Sequence, residues 1–167
     1  MRRAAASPSR APKNDLKPLK LMIRLAIAEE YPTVIEIWER SVRASHHFLS
    51  EQDIKSLREL IQGGVLDQLE LWVVTSDANV IMAFMGLSAN SVEALFDDPP
   101  YFRAGLGTIL LSHAETLKGE LRVDVNEQNP SAVQFYLSHG FEMLGRSEKD
   151  GFGQPFPLLH LAKRQHH

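Results

Sequence analysis

Apolar residues switch between two spacings along the chain, and each switch marks an element. Met22, Ile23, Leu25 and Ile27 fall in a short stretch, Met22–Ala28, that reads as a strand. Val34, Ile35, Trp38 and Val42 then recur at helical spacing. Glu29 and Glu30 precede them, where the positive end of a helix dipole favours acids, and Pro32 fits a first turn, so a helix is predicted over 30–45. His46–Leu49 breaks the pattern. Ser50 caps a second helix that runs to about Gln62 and ends at Gly63–Gly64.

Strand signals follow. Leu69–Thr75 and Val80–Ser88 flank the turn residues Ser76-Asp77-Ala78-Asn79 and predict a hairpin. Val92–Phe96 is a third strand, stopped by Asp98-Pro99-Pro100. Gly105–Leu117 is helical, with Ile109, Leu110, Leu111, Ala114 and Leu117 on one side. Leu121, Val123 and Val125 alternate with Arg122, Asp124 and Asn126, a strand with one face exposed or turned to a cleft. Asn129 caps a helix through His139 that starts with Pro130, turns Ala132, Val133, Phe135 and Tyr136 inward, and is ended by Gly140. Phe141–Arg146 and Pro157–Ala162 are the last strands. The order is β-α-α-β-β-β-α-β-α-β-β, without an internal repeat.

Composition narrows the function. The 167 residues, 44% hydrophobic and 23% charged, suit one globular domain. There is no cysteine, which excludes disulfides, thiol nucleophiles, iron–sulfur clusters and cysteine-rich zinc sites. No apolar run reaches the roughly eighteen residues of a membrane span, and the N-terminus lacks the apolar core of a secretory signal. A cytoplasmic protein is expected. Residues 1–20 are Pro-rich and hold six Lys/Arg against one acid, a net of +5, and are expected to form a disordered basic leader to a domain over 21–165. The whole chain carries −3, so residues 21–167 carry −8. Such a domain is a poor nucleic-acid partner and a tolerable host for a cationic amine; the basic leader has the charge to touch nucleic acid or an acidic membrane, but a solvated leader with neither partner is expected. The pair His46–His47 has no third ligand at metal spacing, so no metal site is expected. His166 and His167 read as a tail.

The chemistry concentrates after the third strand. Arg103-Ala104-Gly105-Leu106-Gly107-Thr108 joins a loop to a helix. Its glycines let successive N–H groups converge, and the helix dipole adds positive potential, which makes an anion site. A dinucleotide fingerprint would need a glycine where Leu110 stands, and a P-loop would need Gly-Lys-Ser/Thr. An ordinary glycine-rich turn remains open on these residues alone.

A second motif follows one strand later: Asn129-x-x-Ala132-x-x-Phe135-Tyr136-x-x-x-Gly140-Phe141. With the preceding Gly-x-Gly helix start, and across residues 22–163, the chain resembles the GNAT superfamily of acyl-CoA-dependent N-acetyltransferases. It is most similar to small bacterial members whose first helix ends S-x-x-A-[ST]-H-x-F-L, here Ser41 to Leu49. The resemblance implies an α/β fold with a central mixed, mainly antiparallel sheet of about seven strands and four helices, its two middle strands splayed to admit acetyl-CoA. It implies that the backbone at Phe96 and Asp97 pairs with the pantetheine arm. The amides of Arg103, Ala104, Gly105, Leu106, Gly107 and Thr108 would hold the pyrophosphate, Asn129 would touch the cofactor arm, and Tyr136 would stand near the thioester sulfur. Members usually carry Gln or Arg three residues before the first glycine, followed by a small residue; here Phe102 and Arg103 occupy those positions.

The implied reaction is direct attack by a primary amine on acetyl-CoA in a ternary complex, with no metal. A backbone N–H near Phe96 or Asp97 would stabilise the oxyanion, and Tyr136 is a suitable acid for the departing thiolate. Three residues are candidate bases: Glu93, expected on the face of Leu95; Asp124, near the cleft; and His46, in the region that covers the acceptor pocket. His46 and Phe48 are candidate substrate contacts, whereas Trp38 and Trp72 read as core. No serine or lysine nucleophile–base pattern is evident. The acceptor is a small-molecule or protein amine, other acyl chains remain open, and the protein is a monomer or homodimer. The rival class is a catalytically degenerate acyl-CoA-binding sensor, favoured by Phe102.

Overall fold

The computed structural model describes residues 20–164. Residues 1–19 of the expected leader and the terminal histidines lie outside that range. The elements are β1 Met22–Leu25, α1 Tyr31–Ser45, α2 Glu51–Leu60, β2 Glu70–Thr75, β3 Ile81–Ser88, β4 Ser91–Asp97, α3 Leu106–Lys118, β5 Leu121–Asn126, α4 Pro130–Ser138, β6 Glu142–Ser147 and β7 Leu158–Lys163. Every predicted element is present, with ends shifted by a few residues. β1 stops at Leu25, where the chain enters a short 3-10 turn at Ala28–Glu30 instead of continuing to Ala28. α2 ends at Leu60 because the backbone widens into a turn over Ile61–Val65, in which Gly64 takes a φ of 113°.

The strands form one sheet ordered β1-β2-β3-β4-β5-β7-β6. All neighbours are antiparallel except β4 and β5. The mixed, mainly antiparallel sheet of seven strands with four helices is therefore as the sequence predicts.

Two cores flank the sheet. On one side α1 and α2 bury Val34, Ile37, Trp38, Val42 and Ile54 against Leu71, Val73 and Phe84. On the other, α3 and α4 bury Leu106, Leu110, Leu111, Ala114 and Tyr136 against Met85, Val92, Val123 and Leu161. β3 is buried on both faces from Ile81 to Leu87, which is why it reads as a continuous apolar run. Each large side chain so buried stabilises the domain by about 1.5–3 kcal/mol. Leu117, expected inward, is 45% exposed, because it follows the last buried turn of α3.

The feature that makes the site is a β-bulge. Ala94 pairs with Gly86 but Val92 pairs with Leu87, so Glu93 is the extra residue on β4. The bend separates β4 from β5. They pair only at Ser91–Arg122 and Val92–Val123, and diverge beyond. From Ala94 to Asp97, β4 bonds to β3 on one edge, while its other edge opens on a cleft.

Candidate active site

The cleft between the splayed strands has a volume of about 610 Å³. β4 supplies Glu93 through Asp97, β5 supplies Val123 through Asn126, and α4 supplies Asn129, Phe135 and Tyr136. The end of α1 contributes Ser45, His46 and His47, and the loop before α3 contributes Phe102 and Arg103. Glu93, Asp124, His46, Phe96, Asp97, Arg103, Gly107, Asn129 and Tyr136 therefore share one cleft.

The remaining candidates sit outside the lining. Phe48 lies behind it, against His46 at 5.5 Å and Phe156 at 6.2 Å between ring centroids. Ala104, Gly105 and Thr108 are exposed around the helix start, but the Ala104 N–H, expected to meet the pyrophosphate, donates to Tyr101 O at 3.2 Å in a turn; the Leu106 side chain is 1% exposed and belongs to the core. Only the Leu106 amide is available to a ligand. Trp38 is buried under α1, and Trp72 packs edge-on against His113 with its indole N–H on Glu70, so both serve packing.

The helix start is fit for an anion. Gly105 precedes α3 in the left-handed region at φ 82°, and no side chain caps the helix. The first intrahelical bond is Ile109 N–H to Gly105 O. The N–H groups of Leu106, Gly107 and Thr108 before it are the usual orphan donors of a helix N-terminus. The two glycines act differently. A Cβ on Gly105 would meet nothing within 4 Å, whereas one on Gly107 would come within 3.2 Å of Phe135 Cζ. Gly107 thus serves the approach of α3 to α4. Arg103 adopts φ 66°, unusual for a non-glycine residue, and its exposed guanidinium stands at the cleft's edge. Together with the open edge of β4, these groups fit the phosphate and extended arm of acetyl-CoA.

The acceptor side depends on side chains. Glu93 is the unpaired residue of the bulge, so the strict alternation that would set it on the face of Leu95 does not hold at this point of β4. Leu95 packs in the α3 core, and Glu93 lies near enough to Asp124 to feel its charge. Loss of hydration, then the Asp124 charge, raises the Glu93 carboxyl above its usual value, against a hydrogen bond from Ser91 that lowers it. Asp97 is pushed up to about 6 by burial.

His46 is the C-cap residue of α1, its N–H donating to Val42 O. Ser45 Oγ donates to Ser41 O at 2.7 Å, so it accepts the His46 Nδ1 proton at 2.8 Å. His46 Nε2 then accepts from Asn129 Nδ2 at 3.2 Å. Asn129 in turn caps α4, its Oδ1 accepting from Ala132 N–H at 3.2 Å. Burial, with the charge of His47 behind it, lowers the His46 pKa and keeps the ring neutral. His46 thus ties the end of α1 to the start of α4.

Tyr136 is 6% exposed, with Phe135 and Phe141 edge-on against its ring at 5.1 and 5.3 Å. It both packs in the core and lines the cleft. Burial raises its pKa above the ordinary phenol value, so the proton stays on the oxygen.

One constellation has no signal in the sequence. Asp124 Oδ1 bonds to His160 Nδ1 at 2.6 Å, and His160 Nε2 bonds to Ser147 Oγ at 2.6 Å. The three residues come from three adjacent strands, and β7 enters between β5 and β6 only in the folded sheet.

With this geometry in hand, the comparisons with known proteins define the class. Residues 67–143 match the family described as the acetyltransferase (GNAT) domain. The peptidyl-lysine N-acetyltransferase YjaB of Escherichia coli (strain K12) is 42% identical over 142 residues, which covers 85% of this chain and 96% of that protein. The solution structure of apo-form YjaB from Escherichia coli superposes with a TM-score of 0.81 at 40% identity, covering 88% of this chain and 99% of that one. PaiA N-acetyltransferase from Thermoplasma acidophilum, solved in complex with coenzyme A, shares the fold with a TM-score of 0.65 at 23% identity, covering 87% and 99%. The chain belongs to the GNAT acetyltransferases. It is an enzyme, an N-acetyltransferase. Among the described residues, no helix is long and apolar enough to cross a membrane.

Proposed function

We propose that the protein transfers the acetyl group of acetyl-CoA to a primary amine, and that the amine is the side chain of a protein lysine. The observation that carries the reading is the pairing of an open β4 edge and an uncapped α3 start with a wall of carboxylates, Glu93, Asp97 and Asp124, across the same cleft. The first two features suit an extended anionic ligand, and the carboxylates suit a cation. The name of the YjaB relative, a peptidyl-lysine N-acetyltransferase at 42% identity, supports the acceptor class.

Acetyl-CoA supplies an activated acyl thioester, which the amine attacks directly. The amides of Leu106, Gly107 and Thr108 hold the pyrophosphate, with those of Arg103 and Gly105 beside them, while the Ala104 N–H is taken by Tyr101 O. The Phe96–Asp97 backbone lies along the pantetheine arm and offers an N–H to the developing oxyanion. Glu93 is the base. A lysine ammonium near pKa 10.4 must lose a proton before it can attack, and a carboxylate raised by partial loss of hydration and by the Asp124 charge accepts one more readily than an ordinary one. The Nε2 lone pair of His46 is engaged by Asn129, so His46 positions α4 and Asn129 rather than taking the proton. Tyr136 keeps its proton through the working range and donates a hydrogen bond to the thiolate as it leaves.

The test is coenzyme A release from acetyl-CoA over N-terminally blocked peptides with one lysine, set beside polyamines and free amino acids. The lysine peptides should turn over fastest. Glu93→Gln should cut turnover about 100-fold or more, the usual contribution of a positioned base, while leaving acetyl-CoA affinity in place. No turnover with any amine, in a protein that still binds acetyl-CoA, would establish the sensor reading instead.

A further inference from the structure

The hydrogen-bonded row Asp124–His160–Ser147 takes no part in the chemistry assigned above. Its protonation pattern follows from donor and acceptor rules. An ionised carboxylate only accepts, so the 2.6 Å contact places a proton on His160 Nδ1. In the neutral ring, Nε2 then has a lone pair and accepts from the Ser147 hydroxyl at 2.6 Å. Both ring nitrogens are engaged, and the imidazole is fixed between strands. The register supports this, since Asp124 lies directly opposite His160 on β5 and β7. On the same two strands Val123, Val125, Leu159 and Leu161 pack in the α3 core, so Asp124 and His160 point to the opposite face. Asp124 is the only one of the three that lines the cleft, and its charge is felt by Glu93 there.

We propose that Asp124 is the docking group for the acceptor's ammonium, and that His160 and Ser147 are positioning residues that hold its carboxylate toward the cleft. One oxygen of Asp124 is tied to His160, leaving the other to receive a cation. Two carboxylates then divide the work: Asp124 orients the ammonium and Glu93 removes its proton. This inference rests on the reading of Glu93 as the base. The connectivity also matches that of a hydrolytic triad. Here, however, the carboxylate end meets the cleft and Ser147 does not line it, the reverse of what a serine nucleophile needs.

The experiment is steady-state kinetics of the full chain at saturating acetyl-CoA, on the single-lysine peptides. Asp124→Asn should raise the acceptor KM about 30-fold and change kcat less than about threefold, the signature of lost uniform binding. His160→Ala should raise KM about tenfold, and Ser147→Ala less. His160→Asn should return KM to within about twofold of wild type, because its amide N–H can stand where Nδ1 stood. His160→Gln, whose amide reaches toward Ser147, should not. Acetyl-CoA affinity by calorimetry should stay constant across the set, which separates docking from general damage.

An unchanged KM in His160→Ala, or equal impairment of the Asn variant, would overturn the proposal. So would a fall in kcat at constant KM, or covalent labelling of Ser147 by a fluorophosphonate. If wild type leaves lysine peptides untouched but accepts another amine, the lysine assignment fails alone, and the same KM ratios on that amine decide the docking role. A wild type that acetylates no amine sinks both.

Discussion

On the α3 side of the cleft the proposed binding groups are backbone amides from two stretches, the open edge of β4 and the first turn of α3. On the opposite side they are side chains from separate elements: Glu93 on β4, Asp124 on β5, His46 after α1, with His160 and Ser147 behind on β7 and β6. Amides at a helix start are set by local conformation and tolerate change in side chains around them, provided that the glycines stay. The side-chain wall is set by strand register and rotamer, and single substitutions can re-aim it. The first wall suits a ligand that never varies, the second an acceptor that distinguishes one enzyme from another.

Tyr136 stands where the walls meet, and its removal should give the largest effect of the tests that probe the contrast. Tyr136→Phe takes away one hydroxyl and leaves the ring between Phe135 and Phe141. Turnover should fall about 10- to 100-fold, at or below the usual range for a positioned acid, because burial makes this phenol a reluctant donor. Acetyl-CoA affinity and melting temperature should hold nearly constant. A rate equal to wild type would assign thiolate stabilisation to water or to a backbone amide.

The two glycines sharpen the contrast within the amide wall. Gly105→Asp places a carboxylate in open space at the helix start, at a φ that Asp tolerates better than most residues. Acetyl-CoA should bind about tenfold more weakly by calorimetry, with stability reduced by only about 1 kcal/mol. Gly107→Ala adds one methyl within 3.2 Å of Phe135 and should do the opposite: a stability loss of about 1–3 kcal/mol by denaturant titration, with a smaller change in affinity. If both variants lose affinity alone, the close packing of α3 on Phe135 is not what Gly107 serves.

The same contrast explains what the amino-acid pattern reveals. The starts of α3 and α4 are legible because their signals are local: Gly-x-Gly before a helix, Asn129 and Pro130 at a cap, apolar positions at helical spacing. The placement of Tyr136 in the cleft came from the motif resemblance, since its spacing alone reads as core, which it also is. The expectation for the face of Glu93 rests on strict alternation, which carries no trace of a bulge, and the bulge is visible only in the pairing of β4 with β3. The row through His160 was invisible for a further reason. Asp124, Ser147 and His160 lie far apart in sequence, and nothing local announces that β7 inserts between β5 and β6.

Asp97 offers the smallest effect and the one with a definite sign. Its side chain lines the cleft, and burial pushes its carboxyl up to about 6. An ordinary Asp titrates near 3.9 in the unfolded chain, so between about pH 4 and about pH 6 the native state holds more protons than the unfolded state. Stability must therefore fall as pH rises through that window, and the penalty is complete above it. Asp97→Asn keeps the shape and removes the charge. At about pH 8 the variant should melt higher than wild type by about 2 °C, a figure discounted for the part of the carboxylate that water reaches. At about pH 3 the two should nearly coincide, because the wild-type group is then mostly protonated in both states. The bound cofactor provides a second reading. The phosphates of acetyl-CoA are anionic, so wild-type affinity should weaken as pH rises through about 6, and the Asn variant should show a flatter profile. A variant that melts lower than wild type at about pH 8 would mean that the ionised Asp97 carboxylate has a stabilising partner in solution, and that the amide wall also depends on a side chain.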